Sequence, residues 1–292
     1  MIPARRRLLA CALAVVSCSA AGVARAQDVV ALVSPAPGPY QAAFESFAKA
    51  LGQPVAAYHL PKERAKIDSG VRVVVAFGGE AAVQAESGRA TVIACLAPSL
   101  ASGSRRGVAV VAMKPSAEGL LAKLRLVQPG LKRLGAFWNS EETGKYLKEL
   151  KRAAASLGIE IDAVRVLDSR GIPEALRAET GKIDALWLAP DPTLVTPETF
   201  ETIKQFSWDN RVPFYAPTAG LAAAGAAAAV SVGAQEAGRQ AAGLALRALA
   251  GEPLPETLYP DRNELTVNLE SAGKAGLAIA PDALERADKV IR

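Results

Sequence analysis

Val71-Arg72-Val73-Val74-Val75-Ala76-Phe77-Gly78-Gly79-Glu80 decides the fold. A nearly continuous β-branched run stops at a pair of glycines, with almost no alternation of apolar and polar positions. A strand with one wet face alternates, whereas an unbroken run marks a strand covered on both faces, as in a parallel sheet between helix layers. Parallel strands need crossover connections, so helical periodicity is expected on either side of the run.

That periodicity is present. Upstream, Val29–Val33 reads as a strand, and Tyr40, Phe44, Phe47 and Leu51 fall on one helical face. Downstream, Thr91–Leu96 and Val108–Ala112 read as strands, and Leu120, Leu121 and Leu124 mark a helix ending near Pro129-Gly130. A second series opens at Leu134-Gly135-Ala136-Phe137-Trp138. Its helix carries Leu147, Leu150, Ala154 and Leu157 on one face and closes at Gly158. Ile159–Val166 and Ile183–Leu188 read as strands around a helix near Ala175–Ala178, and Thr196-Pro197 is an N-cap and N1 pair before the next helix. Val212–Tyr215 is the following strand. The alanine-rich stretch Ala222–Ala229 lacks Ser, Pro and charge, a composition that favours tight packing over disorder. A helix is expected over Gln235–Ala250, a strand over Leu265–Asn268 and a closing helix over Pro281–Ile291.

The expected fold class is therefore α/β, two lobes each built on a parallel sheet flanked by helices. Residues 27–113 form the first lobe and 114–232 the second, with a break near Lys114-Pro115. Residues 233–292 return across the hinge to complete both.

Residues 1–26 have the organisation of a secretory signal peptide: Arg5-Arg6-Arg7, an apolar run from Leu8 to Val16, and Ala24-Arg25-Ala26 before Gln27. The apolar run is too short to span a bilayer. Val15-Val16-Ser17-Cys18 is an alternative signal that would leave a lipid anchor on Cys18. A periplasmic location is expected. Removing the leader leaves thirty basic residues against twenty-nine acidic, so the net charge falls from +5 to +1. A basic surface for nucleic acid is not indicated by that balance. Only Cys95 remains, so no internal disulfide forms and stability rests on packing.

The chain offers little reactive chemistry. His59 stands alone between Tyr58 and Leu60, and Gly103-Ser104-Arg105-Arg106-Gly107 has the wrong spacing for a nucleophile elbow. There is no P-loop, no dinucleotide fingerprint and no metal spacing, so neither catalysis nor a cofactor is expected. What remains is a set of loops at strand C-terminal ends, which in open α/β sheets line the ligand crevice. Ser34 and Tyr40 flank the first such loop, Gly78 and Gly79 the second, and Ser99 ends the third. Asn139, Asp191 between two prolines, Tyr215 and Thr218 are their counterparts in the second lobe. The glycine pair leaves backbone N–H groups that can hold a carboxylate, or is only a tight turn. Asp191 can receive an ammonium group or make an Asx turn, Asn139 can contact ligand or cap a helix, and the two tyrosines can stack on a ligand or pack.

Leu134–Asn139, Ile183–Pro192, Arg211-Val212-Pro213-Phe214, Gly238-Arg239-Gln240-Ala241-Ala242, Val267-Asn268-Leu269 and Ala275-Gly276-Leu277 resemble, in order, the substrate-binding proteins of ABC transporters of the tryptophan/tyrosine-type group. Val75–Ala82 is similar to that family's Gly-rich turn, while Ala97-Pro98-Ser99 stands where the family often has Thr-Asp. The resemblance implies a type I periplasmic-binding fold, monomeric and without enzymatic activity. It implies that a small organic ligand, an aromatic amino acid being one option, is delivered to an inner-membrane permease. The competing readings are a periplasmic accessory or sensor-input protein of the same fold and, more remotely, a hydrolase.

Overall fold

The computed structural model describes residues 28–35, 38–61, 67–85, 89–97 and 107–292. The expected signal peptide, Cys18, Ser99 and Ser104 lie outside the described residues. Two α/β units follow one another. The first has strands β1 (Val29–Val33), β2 (Ala56–His59), β3 (Val73–Phe77), β4 (Thr91–Cys95) and β5 (Val108–Val111), with helices α1 (Tyr40–Leu51) and α2 (Gly79–Ala85). The second runs α3 (Ala117–Val127), β6 (Arg133–Trp138), α4 (Glu141–Ser156), β7 (Glu160–Arg165), α5 (Ile172–Glu179), β8 (Ala185–Trp187), α6 (Pro197–Asn210), β9 (Phe214–Ala216), α7 (Ala219–Ala223) and β10 (Ala228–Ser231). The tail adds α8 (Ala234–Leu249), β11 (Thr257–Leu258), β12 (Glu264–Asn268), α9 (Leu269–Lys274), α10 (Pro281–Glu285) and β13 (Lys289–Ile291).

The deciding run behaves as a strand covered on both faces. Val73, Val75 and Phe77 enter one apolar cluster with Phe47 of α1 and Leu244 of α8. Val74 and Ala76 enter the opposite cluster with Ala81 and Ala82 of α2. Burying each of these valine, leucine and phenylalanine side chains stabilises the fold by about 1.5–3 kcal/mol. The alanine-rich stretch is packed in its second half: Ala226 to Ala229 are buried where the chain leaves α7 and enters β10, whereas Ala223 and Ala224 are exposed at the end of α7.

The sheets have the orders β11-β5-β4-β3-β1-β2 and β13-β12-β10-β9-β8-β6-β7. Within each, the first strand of the unit sits between the second and the third, so the winding reverses there. Such a reversal opens a crevice at the strand C-terminal ends. The tail divides between the units. Helix α8 packs on α1 in the first, closely enough that a Cβ at Gly238 would collide with the Ala43 carbonyl. Strand β11 pairs with β5, whereas β12 and β13 join the second sheet.

Three expectations need correction. Strand β12 runs antiparallel to β10, not parallel. It follows β11 with no crossover helix, so it enters the second sheet from the end where the parallel strands finish and runs back along them. The expected closing helix over 281–291 is one short helix and a strand, β13, which pairs with β12. Leu157, expected on the buried face of α4, is the C-cap residue and is exposed, because the chain turns at Gly158.

Candidate functional site

The two reversal points are built differently. In the second sheet, the loop after β8 presents Asp191 to the loop after β6. Asp191 is fully buried. One carboxylate oxygen accepts from Asn139 N at 2.9 Å, Ser140 N at 2.8 Å and Ser140 Oγ at 2.9 Å. The other accepts from Thr193 N at 3.0 Å and Thr193 Oγ1 at 2.7 Å. Burial opposes its charge, but the Asn139, Thr193 and Ser140 donors prevail and hold the carboxyl down at about 2. A carboxylate offers about four lone-pair directions, so this one is saturated. Asp191 therefore makes the Asx turn and fastens two loops, and of its two expected roles the ammonium acceptor is the one corrected.

Asn139 is not the N-cap of α4. That role falls to Ser140, whose hydroxyl accepts from Thr143 N, while Asn139 Nδ2 donates to the Leu167 carbonyl at 2.9 Å and to Thr193 Oγ1 at 3.2 Å. Tyr215 is corrected too. It is fully buried and its hydroxyl donates to Gln128 Oε1 at 2.6 Å. The ring lies on a face of β9, inside the core with Trp187, and not at the strand end. Thr218, three residues on, does reach the strand end, where its side chain caps α7.

At the reversal point of the first sheet, Ser34 Oγ accepts from Ala81 N at 3.0 Å, binding the loop after β1 to the start of α2. Gly78 adopts φ +98°, and a Cβ there would stand 2.5 Å from Ser34 Oγ and 2.9 Å from the Tyr40 ring. Ser34, Tyr40, Gly78 and Gly79 are thus gathered together. Ser34 and Tyr40 line a cavity of about 430 Å³ with His59 and Pro61. His59 is exposed at the end of the edge strand β2. Cys95 is buried in β4, and burial pushes its thiol far up, so it is inert.

A second cavity, of about 190 Å³, lies between the two sheets. The first sheet contributes Ala97, Val110 to Ala112 and Thr257; the second contributes Glu142, Thr143, Pro190, Pro192, Pro217 and Thr218. Met113 and Lys114 close it from the connection between β5 and α3. Lys114 Nζ donates to Glu142 Oε1 at 2.8 Å and stands 5.1 Å from the Tyr146 ring centroid. Of the expected site residues that are described, only Thr218 lines this cavity, although Asp191 sits between two prolines that do. Met113, Lys114, Glu142, Thr143 and Thr257 were not anticipated. The usable signal was Lys114-Pro115, because a charged residue at a break between units falls where the units face each other.

Residues 107–291, well over half of the chain, match the family model described as ABC transporter substrate binding protein. The chain belongs to the ABC transporter substrate-binding protein family. Solved structures of this architecture agree in fold. A ligand-free, open substrate-binding protein with adhesive properties from Clostridium difficile superposes with TM-score 0.66 at 16% identity, over 90% of this chain and 99% of that one. An ABC domain in complex with L-Trp from Streptococcus pneumoniae gives TM-score 0.60 at 17% identity, with the same coverage. An ABC transporter substrate-binding protein from Desulfitobacterium hafniense in complex with Leu gives 0.52 at 13%, over 75% of this chain and 83% of that one. No curated protein matches the sequence significantly. Among the described residues, this substrate-binding protein has no helix long and apolar enough to cross a membrane and no cluster of metal-ligating side chains.

Proposed function

We propose that this chain is the exported solute receptor of an ABC importer. It takes a small organic molecule into the cavity between its two lobes and closes on it about the connections at 112–116, 232–233 and 259–263. The leader at 1–26 directs the receptor to the periplasm, with cleavage after Ala26. The observation that carries this reading is the cavity itself: both sheets send their strand C-terminal ends to it, and Lys114 lies on one of the connections. A ligand touching both walls favours the closed arrangement by its differential affinity, which gives a permease two shapes to distinguish. The structures bound to L-Trp and Leu make amino acids and their close relatives the first compounds to test.

The test is a thermal-shift screen of the purified mature protein against amino acids, organic acids and small sugars. At a hundredfold excess over Kd, a ligand stabilises by about 2.7 kcal/mol. At least one chemical class is expected to raise Tm reproducibly. No shift across the whole panel would overturn the receptor reading.

A further inference from the structure

The geometry points to a ligand that is an apolar carboxylate without an ammonium group, held by Lys114 in exchange for Glu142. This inference rests on the receptor reading above and names the chemical class that the same cavity takes.

Three observations carry it. The first is the composition of the wall. Ala97, Val110, Val111, Met113 and three prolines make it mostly apolar, and among the described residues lining it Lys114 is the sole cation and Glu142 the sole anion. The second is an asymmetry within that pair. The Lys114 side chain is only 16% exposed, whereas that of Glu142 is 42% exposed. An ammonium on a side chain with this little exposure loses more when left without an anion than does a carboxylate with access to water. A ligand carboxylate can therefore displace Glu142 from Lys114 and leave Glu142 hydrated. A ligand with an ammonium group and no carboxylate would instead have to strip Glu142 from the less exposed lysine and leave Lys114 unpaired. The third is Asp191, the other carboxylate beside the cavity. Its two oxygens already accept from Asn139, Ser140 and Thr193, so it has no lone pair to offer an ammonium group, and Glu142, once displaced, is 42% exposed, where an ion pair gains little over hydration.

The Lys114 head is also held in place without the ligand. Its Nζ lies over the Tyr146 ring, and the Tyr146 hydroxyl is fixed by donating to the Pro115 carbonyl at 3.0 Å. One N–H goes to Glu142, and the exchange needs only that this donor be handed to the incoming oxygen.

The experiment uses matched pairs of compounds differing only in the ammonium group: 3-phenylpropanoate against L-phenylalanine, and 4-methylpentanoate against L-leucine. Binding to the mature protein is followed by calorimetry. At least one carboxylate is expected to bind more tightly than its amino acid. Lys114→Met, which keeps the stem on Tyr146, weakens it about tenfold or more, as for a lost charge-assisted hydrogen bond. Glu142→Gln removes the internal competitor while leaving Lys114 intact, and is expected to tighten the same carboxylate. The inference is overturned, with the receptor reading still standing, if the amino acids bind and the carboxylates do not, or if Glu142→Gln weakens the carboxylate. Carboxylate binding unchanged by a folded Lys114→Met variant overturns it as well. Silence from all four compounds overturns this inference; silence extending through the whole thermal-shift panel overturns the receptor reading with it.

Discussion

The reversal points of the two sheets occupy equivalent places in the winding and are fastened in opposite ways. In the first, a neutral hydroxyl on the loop after the opening strand accepts one N–H from the start of α2. In the second, a buried carboxylate on the loop after the third strand accepts five donors, among them two backbone N–H groups at the start of α4. The first joint relies on a glycine that lets Ser34 and Tyr40 approach the backbone, the second on charge. The difference teaches that one topology does not fix one chemistry. The crevice comes from strand order, but its closure comes from whichever side chain satisfies the exposed N–H groups.

That contrast can be broken experimentally. The largest effect is expected from Asp191→Ala, which leaves buried donors on Asn139, Ser140 and Thr193 without an acceptor. A loss of about 3 kcal/mol or more, read from urea unfolding, follows from the cost of unsatisfied buried groups. A loss below that for Ser34→Ala would contradict the account of the second joint. Acid sharpens the same point. The Asp191 carboxyl titrates from an ordinary value of 3.8 down to about 2 in the fold. Its contribution is therefore intact above pH 4 and is lost as pH falls from there through about 2, amounting to about 2 kcal/mol. Wild-type stability should fall across that window by more than that of Asp191→Ala, and parallel curves would assign the acid sensitivity elsewhere.

At the first joint, Gly78→Ala forces a Cβ against Ser34 and a side chain into φ +98°. The expected loss is about 2 kcal/mol, the scale of local backbone strain. An unchanged unfolding midpoint would mean that the loop after β3 relaxes freely. Ser34→Ala is the mildest, about 1 kcal/mol for one neutral hydrogen bond. A cost equal to that of Asp191→Ala would erase the distinction between the joints.

Local patterns predicted the architecture because they are local. The apolar run announced burial on both faces, which holds over Val73–Phe77 and not at the exposed Arg72; Thr196-Pro197 announced the start of α6, and the alanine-rich stretch announced packing that holds for Ala226 to Ala229. The site was less legible. Tyr215 is in a strand, and only the sheet face it occupies, where its hydroxyl meets Gln128 eighty-seven residues away, shows that it belongs to the core. The donors that saturate Asp191 come in part from 51 and 52 positions upstream, so its place between prolines suggested availability that the fold removes. The antiparallel β12 was hidden because direction depends on which end of the sheet the chain enters. Lys114 was noticed as a boundary, but its pairing with Glu142 needs the second unit to be in place.

The central claim is closure of two units on a small molecule held between them. It is tested most directly by spin labels at Val83→Cys in α2 and Leu167→Cys beyond β7, both exposed positions, with the native Cys95 buried. The label-to-label distance is measured with and without the compound that raises Tm most, in the wild-type background and in Met113→Trp, which fills the cavity from its exposed side. The account predicts a distance that shifts on binding to a narrower distribution and that stays fixed in the filled variant. A distance that remains unchanged at saturating ligand would contradict it.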